Sequence, residues 1–140
     1  MKDIRLALRA ALLADPTING LVGGLRIHAV RLPQGQTATS IVYNRISETG
    51  DYHTQGPSGL AQTRMQVDCW AQTQDAAVVL ASAVYDRLSG FSGPVNYGSN
   101  SPQDQIVVRG VFLDTGREDY DDVAQLYRMS RDYLIWYMER

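Results

Sequence analysis

The sequence predicts an α+β fold: a mainly antiparallel sheet of four to five strands with two helices packed on one face, within one domain spanning residues 1–140. Three observations carry this. Residues 64–71 (RMQVDCWA) alternate, with Met65, Val67, Cys69 and Ala71 on one side and Arg64, Gln66, Asp68 and Trp70 on the other, which is the period of a half-covered strand. Directly after them the apolar spacing becomes helical at Ala77, Leu80, Ala81, Val84 and Leu88, introduced by Thr73 as N-cap and stopped by Gly90. Several other β-rich runs bounded by Gly or Pro supply partner strands for the Met65/Val67/Cys69 face.

In chain order, residues 3–14 place Ile4, Leu8, Ala11 and Leu12 on one stripe, and Asp15-Pro16 ends that first amphipathic helix. Residues 16–22 make one more short turn before Gly23-Gly24 break it. Residues 25–31 read as a short strand and residues 40–48 (SIVYNRISE) as a second, rich in β-branched residues. Residues 50–62 carry three Gly and one Pro without periodicity, so they read as a long hairpin arm or a mobile loop. The strand at 64–71 and the helix at 74–88 follow. Residues 91–105, punctuated by Gly93, Pro94, Gly98 and Pro102, read as a second loop. Residues 106–115 form a strand with Gly110 as a bulge candidate, 114–122 an acidic turn around Arg117, and 126–138 a long terminal strand favoured by Tyr127, Tyr133, Ile135, Trp136 and Tyr137.

Composition narrows the function classes. A hydrophobic fraction of 44% with 20% charged residues suits a folded core, and a net charge of −2 gives no basic patch for a nucleic-acid backbone. No sequence-specific nucleic-acid partner is expected. Twelve of the 13 basic residues are Arg, which favours planar, bidentate pairing with carboxylates. The lone Cys69 sits at an inward strand position and packs as a small apolar group. The N-terminal stretch is interrupted by Arg5 and Arg9, and no apolar run approaches about 18 residues, so neither a signal peptide nor a membrane span is expected.

No constellation for catalysis is apparent. The nearest strings to a nucleophile elbow, Gly56-Pro57-Ser58-Gly59 and Gly90-Phe91-Ser92-Gly93, have the wrong spacing, and the one Lys, at position 2, cannot complete a phosphate-binding loop. His28, His53 and Cys69 are isolated, and the acidic run lacks the spaced ligands of a calcium loop. Neither metal nor cofactor is expected. Asp68 and Asp132 invite reading as a carboxylate pair, yet each lies close to an arginine, at Arg64 and Arg128, and ion pairing is the better account.

DPTINGLVGGLRIHAV after the first helix, SIVYNRIS, TRMQVDCWAQTQDAAVVLASAVYDRL and the closing YRMSRDYLIWY together resemble the tail-completion, or tail-terminator, proteins of long-tailed phages and prophages. The likeness is strongest at the strand–helix junction of residues 67–81 and absent from the loops at 50–62 and 91–105. It implies a non-enzymatic virion protein, made in the host cytoplasm, that forms a homo-oligomeric ring, usually a hexamer. Such a ring docks on the tail tube protein, stops tube polymerisation and presents a face to the head–neck connector. A neck or head-completion adaptor is the alternative within phage assembly, and a small enzyme with an unrecognised site the alternative from another class.

The two longest strands echo each other: Arg64-Met65-x-x-Asp68 recurs as Arg128-Met129-x-x-Asp132, followed by Trp70 and Trp136. Antiparallel pairing with Gln66 opposite Ser130 would set Arg64 against Asp132 and Asp68 against Arg128. These six residues, Arg64, Asp68, Trp70, Arg128, Asp132 and Trp136, are the candidate subunit or partner contact. Glu118, Asp119, Asp121 and Asp122 are the candidate lumen-facing acidic turn, where negative charge would keep passing DNA from sticking.

Overall fold

The computed structural model describes residues 3–98 and 103–138. Its elements are α1 (Ile4–Leu13), α2 (Pro16–Leu21), β1 (Ile27–Ala29), β2 (Ser40–His53), β3 (Gly56–Ala71), α3 (Gln74–Leu88), β4 (Gly93–Asn96), β5 (Gln105–Asp121) and β6 (Leu126–Met138). The strands form one six-stranded sheet in the order β1-β2-β3-β6-β5-β4. All neighbours are antiparallel except β1 beside β2. The fold class stands, with six strands in place of four to five and three helices in place of two.

Local chemistry explains the helix ends. The Asp3 carboxylate caps α1 by accepting from the Arg5 backbone N–H at 3.0 Å. Asp15 does the same for α2, accepting from Thr17 and Ile18 at 2.9 and 3.2 Å, with Pro16 in the first turn where its missing N–H costs nothing. Thr73 caps α3 through Ala76 N–H at 3.1 Å, and Asp75 and Arg87 sit at the ends their charges favour. Gly90, at φ 76°, turns the chain out of the helix and donates its N–H to the Val111 carbonyl at 2.9 Å.

The three helices share one face of the sheet. The core there joins Ile4, Leu8 and Leu12 of α1 and Leu80 and Val84 of α3 to Met65, Val67, Cys69, Val111, Tyr133 and Ile135 of the central strands. Burial raises the Cys69 thiol to about 12 and the Tyr133 phenol to about 12, so neither ionises at neutral pH.

Three expectations require correction. Residues 50–62 are not a loose loop: β2 and β3 pair as far as His53 opposite Gly56, joined by Thr54 and Gln55. Of the two readings the hairpin arm holds: Gly50 borders a register shift before Tyr52, and Gly56 follows the turn opposite His53. Within residues 91–105 a further strand, β4, pairs with β5, whereas residues 99–102 of that stretch lie outside the described residues. The acidic run is not a turn either. β5 continues through it to Asp121, and the turn is formed by residues 122–125.

Candidate functional surface

The face of the sheet opposite the helices carries the residues the sequence singled out. Alternation along β3 and β6 sends Arg64, Gln66, Asp68 and Trp70, together with Arg128, Ser130, Asp132, Leu134 and Trp136, to this open face, while Met65, Val67 and Cys69 pack under the helices.

β3 and β6 are antiparallel neighbours, but the register differs from the one expected. Gln66 lies opposite Asp132 and Asp68 opposite Ser130, so Arg64 faces Leu134 and Trp70 faces Arg128. The displacement is two residues, an even number, so every side chain keeps its face. The charged partners consequently meet on the diagonal: Arg64 Nη1 lies 3.4 Å from Asp132 Oδ2, and Arg128 Nη1 lies 3.9 Å from Asp68 Oδ2.

β5 supplies the closer partners. Arg64 pairs with Asp114, and Arg128 forks onto Asp119, its Nε donating to Oδ1 at 2.8 Å. The Arg128 guanidinium also lies 5.3 Å from the centroid of the Trp70 ring. Its hydrogen bonds hold the Asp119 carboxyl below its usual range, and Asp119 in turn raises Arg128. Gln66 donates to Asp68 at 3.0 Å. The result is a ladder of alternating charge across β3, β6 and β5. Asp114 and Asp119 were missed as members of it. A β5–β6 hairpin closed with Asp121 opposite Leu126 places Asp119 opposite Arg128, so reading 114–121 as strand would have found the pair.

The two tryptophans do not form one patch. Trp70 is 8% exposed and belongs to a small second core with Val42 and Leu126, covered by Leu32 and Ala124. Trp136 lies opposite Gln62, eight residues from Trp70 along β3, or about 26 Å at strand rise. Around Trp136 the open face is apolar, with Leu134 beside it and Phe112 55% exposed. Of the acidic group, Glu118 accepts from Gln74 Nε2 at 2.9 Å, and Asp121 caps the turn by accepting from Val123 and Ala124 at 2.9 and 2.8 Å. Asp122 is exposed at the turn itself.

Concavities are shallow. A groove of ≈ 230 Å³ lies between α3 and the β5–β6 hairpin, lined by Gln74, Ala77, Tyr120, Tyr127 and Arg128. A second, ≈ 460 Å³, runs between residues 32–37 and the 121–124 turn with Trp70 in its wall. Neither lining contains a His, Cys or Lys. Among the described residues no three His, Cys, Asp or Glu side chains are grouped to hold a metal ion, and no helix is long and apolar enough to cross a membrane.

A tail completion protein gp17 family model matches residues 6–138. This chain belongs to that family. Membership makes it a phage structural protein of the tail or neck, in a family of virion components and not of enzymes. In fold it is similar to a chain of the virion of a native gene transfer agent particle, at 17% sequence identity and a TM-score of 0.73, over 96% of this chain and 94% of that one. No curated protein matches the sequence.

Proposed function

We propose that this tail completion protein caps the tail tube: copies of it form a ring, hexameric by resemblance, that docks on the last ring of tube protein, ends its polymerisation and offers a second face to the head–neck connector. The observation that carries the reading is the family match across residues 6–138. The open face supports it, because the Arg64–Asp132 and Arg128–Asp68 ladder makes a rigid, pre-organised surface beside the apolar strip of Phe112, Leu134 and Trp136. We assign that strip, with the ladder behind it, to the contact with a neighbouring subunit or ring.

The test combines solution mass by light scattering, negative-stain images and a tube-growth assay. Closed rings that halt elongation of purified tube protein are expected. A strict monomer that leaves tube length unchanged would overturn the reading.

The acidic end of the β5–β6 hairpin, Glu118, Asp119, Asp121 and Asp122, is proposed to line the channel, where it repels the DNA backbone. Because Asp119 is engaged by Arg128 and Asp121 caps the turn, the informative variant is Glu118→Gln/Asp121→Asn/Asp122→Asn: it removes three charges, keeps the ion pair and leaves an oxygen on residue 121 to cap. Rings of this variant are expected to retain more DNA at low salt, with the difference shrinking as salt rises. Equal retention at every salt concentration would remove the channel assignment.

A further inference from the structure

We infer that main-chain pairing between two unlike edges of the sheet closes the ring: residues 46–53 of β2 in one copy against residues 112–121 of β5 in the next. The inference rests on the ring reading above and adds how the ring is joined.

Both segments are strand without an outer neighbour among the described residues. β1 covers β2 only at Ile41 to Tyr43, where Ile41 N–H donates to the Arg26 carbonyl at 2.9 Å and Val30 N–H to that of Tyr43 at 2.8 Å. β2 nevertheless runs on to His53. At the far margin β4 covers β5 only from Gln105 to Val108, Gly90 takes the Val111 carbonyl, and the strand continues to Asp121. A row of unpaired N–H and C=O groups is a template for another chain, and proteins that avoid such pairing shorten the edge or block it with Pro or Lys. Residues 46–53 and 112–121 contain neither, and they expose Ile46 at 46%, Tyr52 at 73%, Phe112 at 55% and Leu113 at 38%. Bulges within β2, and between Leu113 and Thr115 in β5, bend these edges and restrict the partners they accept.

Charge and geometry select a second copy, joined through unlike edges. Two β5 edges paired about a two-fold axis would set Asp114, Glu118, Asp119 and Asp121 against themselves, with only Arg117 to offset them. Two paired β2 edges would leave β5 open. A β2-to-β5 contact uses both, and a head-to-tail contact of that kind is what generates a ring. Direction agrees: β2/β3, β3/β6 and β6/β5 are each antiparallel, so β2 and β5 run oppositely and a copy rotated about an axis near the strands continues the same alternation.

The two free segments lie at opposite ends of the sheet, 46–53 toward the end where β6 finishes at Met138 and 112–121 toward the 122–125 turn. Bringing them level staggers each copy by about six residues, roughly 20 Å, over the four strands from β2 to β5, roughly 19 Å wide. That is a steep strand tilt of about 46°, at the upper end of the range of closed sheets. In this placement β1 and β4, which cover the other corners, pass clear of the joint. The contact centres on Thr49 opposite Arg117, both exposed and both facing away from the helices, as their opposites Gln62 and Ser130 show.

The test is disulfide capture. Thr49→Cys/Arg117→Cys, oxidised in the assembled state, is expected to give a ladder of covalent oligomers ending in the ring, whereas either single variant gives none. The native Cys69 is buried and does not compete. In parallel, outward-facing amides of 46–53 and 112–121 are expected to exchange fast in the monomer and slowly in the ring. Rings whose double variant stays uncrosslinked and whose edge amides exchange as in the monomer would overturn the edge joint and leave the ring standing. Dimers from a single variant would overturn it in favour of a two-fold contact. Protein that never forms rings would remove the ring reading, and the joint with it.

Discussion

Val84→Asp is expected to abolish folding. Val84 is 1% exposed on α3, inside the core that joins the helices to Met65, Val67 and Tyr133, and no cationic side chain belongs to that cluster. An aspartate there either stays ionised without a partner or takes up a proton, and either way costs several kcal/mol on top of the roughly 1.5–2 kcal/mol of lost valine burial. Domains of this size hold about 5–15 kcal/mol in total, so one such substitution consumes most or all of it. Val79→Asp is the matched control: Val79 lies on the same helix but is 55% exposed, and its replacement is expected to change stability by less than about 0.5 kcal/mol. Thermal or urea unfolding followed by circular dichroism measures both. Soluble, fully folded Val84→Asp protein would contradict the packing of α3 on the sheet.

That packing was legible because α3 and β3 each have one buried face, and burial imprints its period on the sequence. The helix from Gln74 to Leu88 and the strand from Leu126 to Met138 were read to the residue, the first from its Thr73 cap and Gly90 stop, the second from its aromatic alternation. Where both faces of a strand meet solvent no such imprint exists. The outer halves of β2 and β5 are exposed on both sides, and their Gly, Asp and Thr residues look like loop composition, so composition leaves 50–62 open between arm and loop and makes 114–122 look like a turn. β4 escaped notice for another reason. It has four residues, begins with Gly-Pro and buries only Val95, so it is strand by virtue of its pairing with β5 and not by propensity.

The same logic explains the charged ladder. The echo of Arg64-Met65-x-x-Asp68 in Arg128-Met129-x-x-Asp132 correctly indicated neighbouring strands with interlocking charges, but charge symmetry alone could not distinguish direct from diagonal partners. Side-chain reach is long enough for either, and the register is settled instead by the apolar face, where Met65 meets Tyr133 and Cys69 meets Met129. Asp114 and Asp119 became visible only once β5 was known to extend along β6.

Arg128→Met is expected to lower stability by about 1–3 kcal/mol, chiefly through a residue it does not touch most closely. Arg128 forks onto Asp119, lies 3.9 Å from Asp68 and covers the Trp70 ring. The Asp119 side chain is 43% exposed, and when its partner goes water replaces it, so that pair alone contributes at most about 1 kcal/mol. The Asp68 side chain is 11% exposed, and without Arg128 its carboxylate keeps the Gln66 amide as donor at a spot where water has little access, which is the costlier loss. Asp119→Asn should therefore cost clearly less than Arg128→Met, and Arg128→Lys should fall between them, keeping the charge but losing the fork and the stacking. The pH dependence has a definite sign. Arg128 depresses the folded-state value of Asp119, so the stability from that pair is present above the ordinary carboxylate range, near pH 4, and is lost as pH falls through the lowered folded value. The gap between wild type and Arg128→Met should consequently narrow between neutral pH and pH 3, read as urea midpoints at both. A gap that stays constant would show that the guanidinium acts through the Trp70 ring and not through the carboxylates, and an Asp119→Asn loss equal to that of Arg128→Met would place the whole contribution in the Asp119 pair and overturn the role given to Asp68.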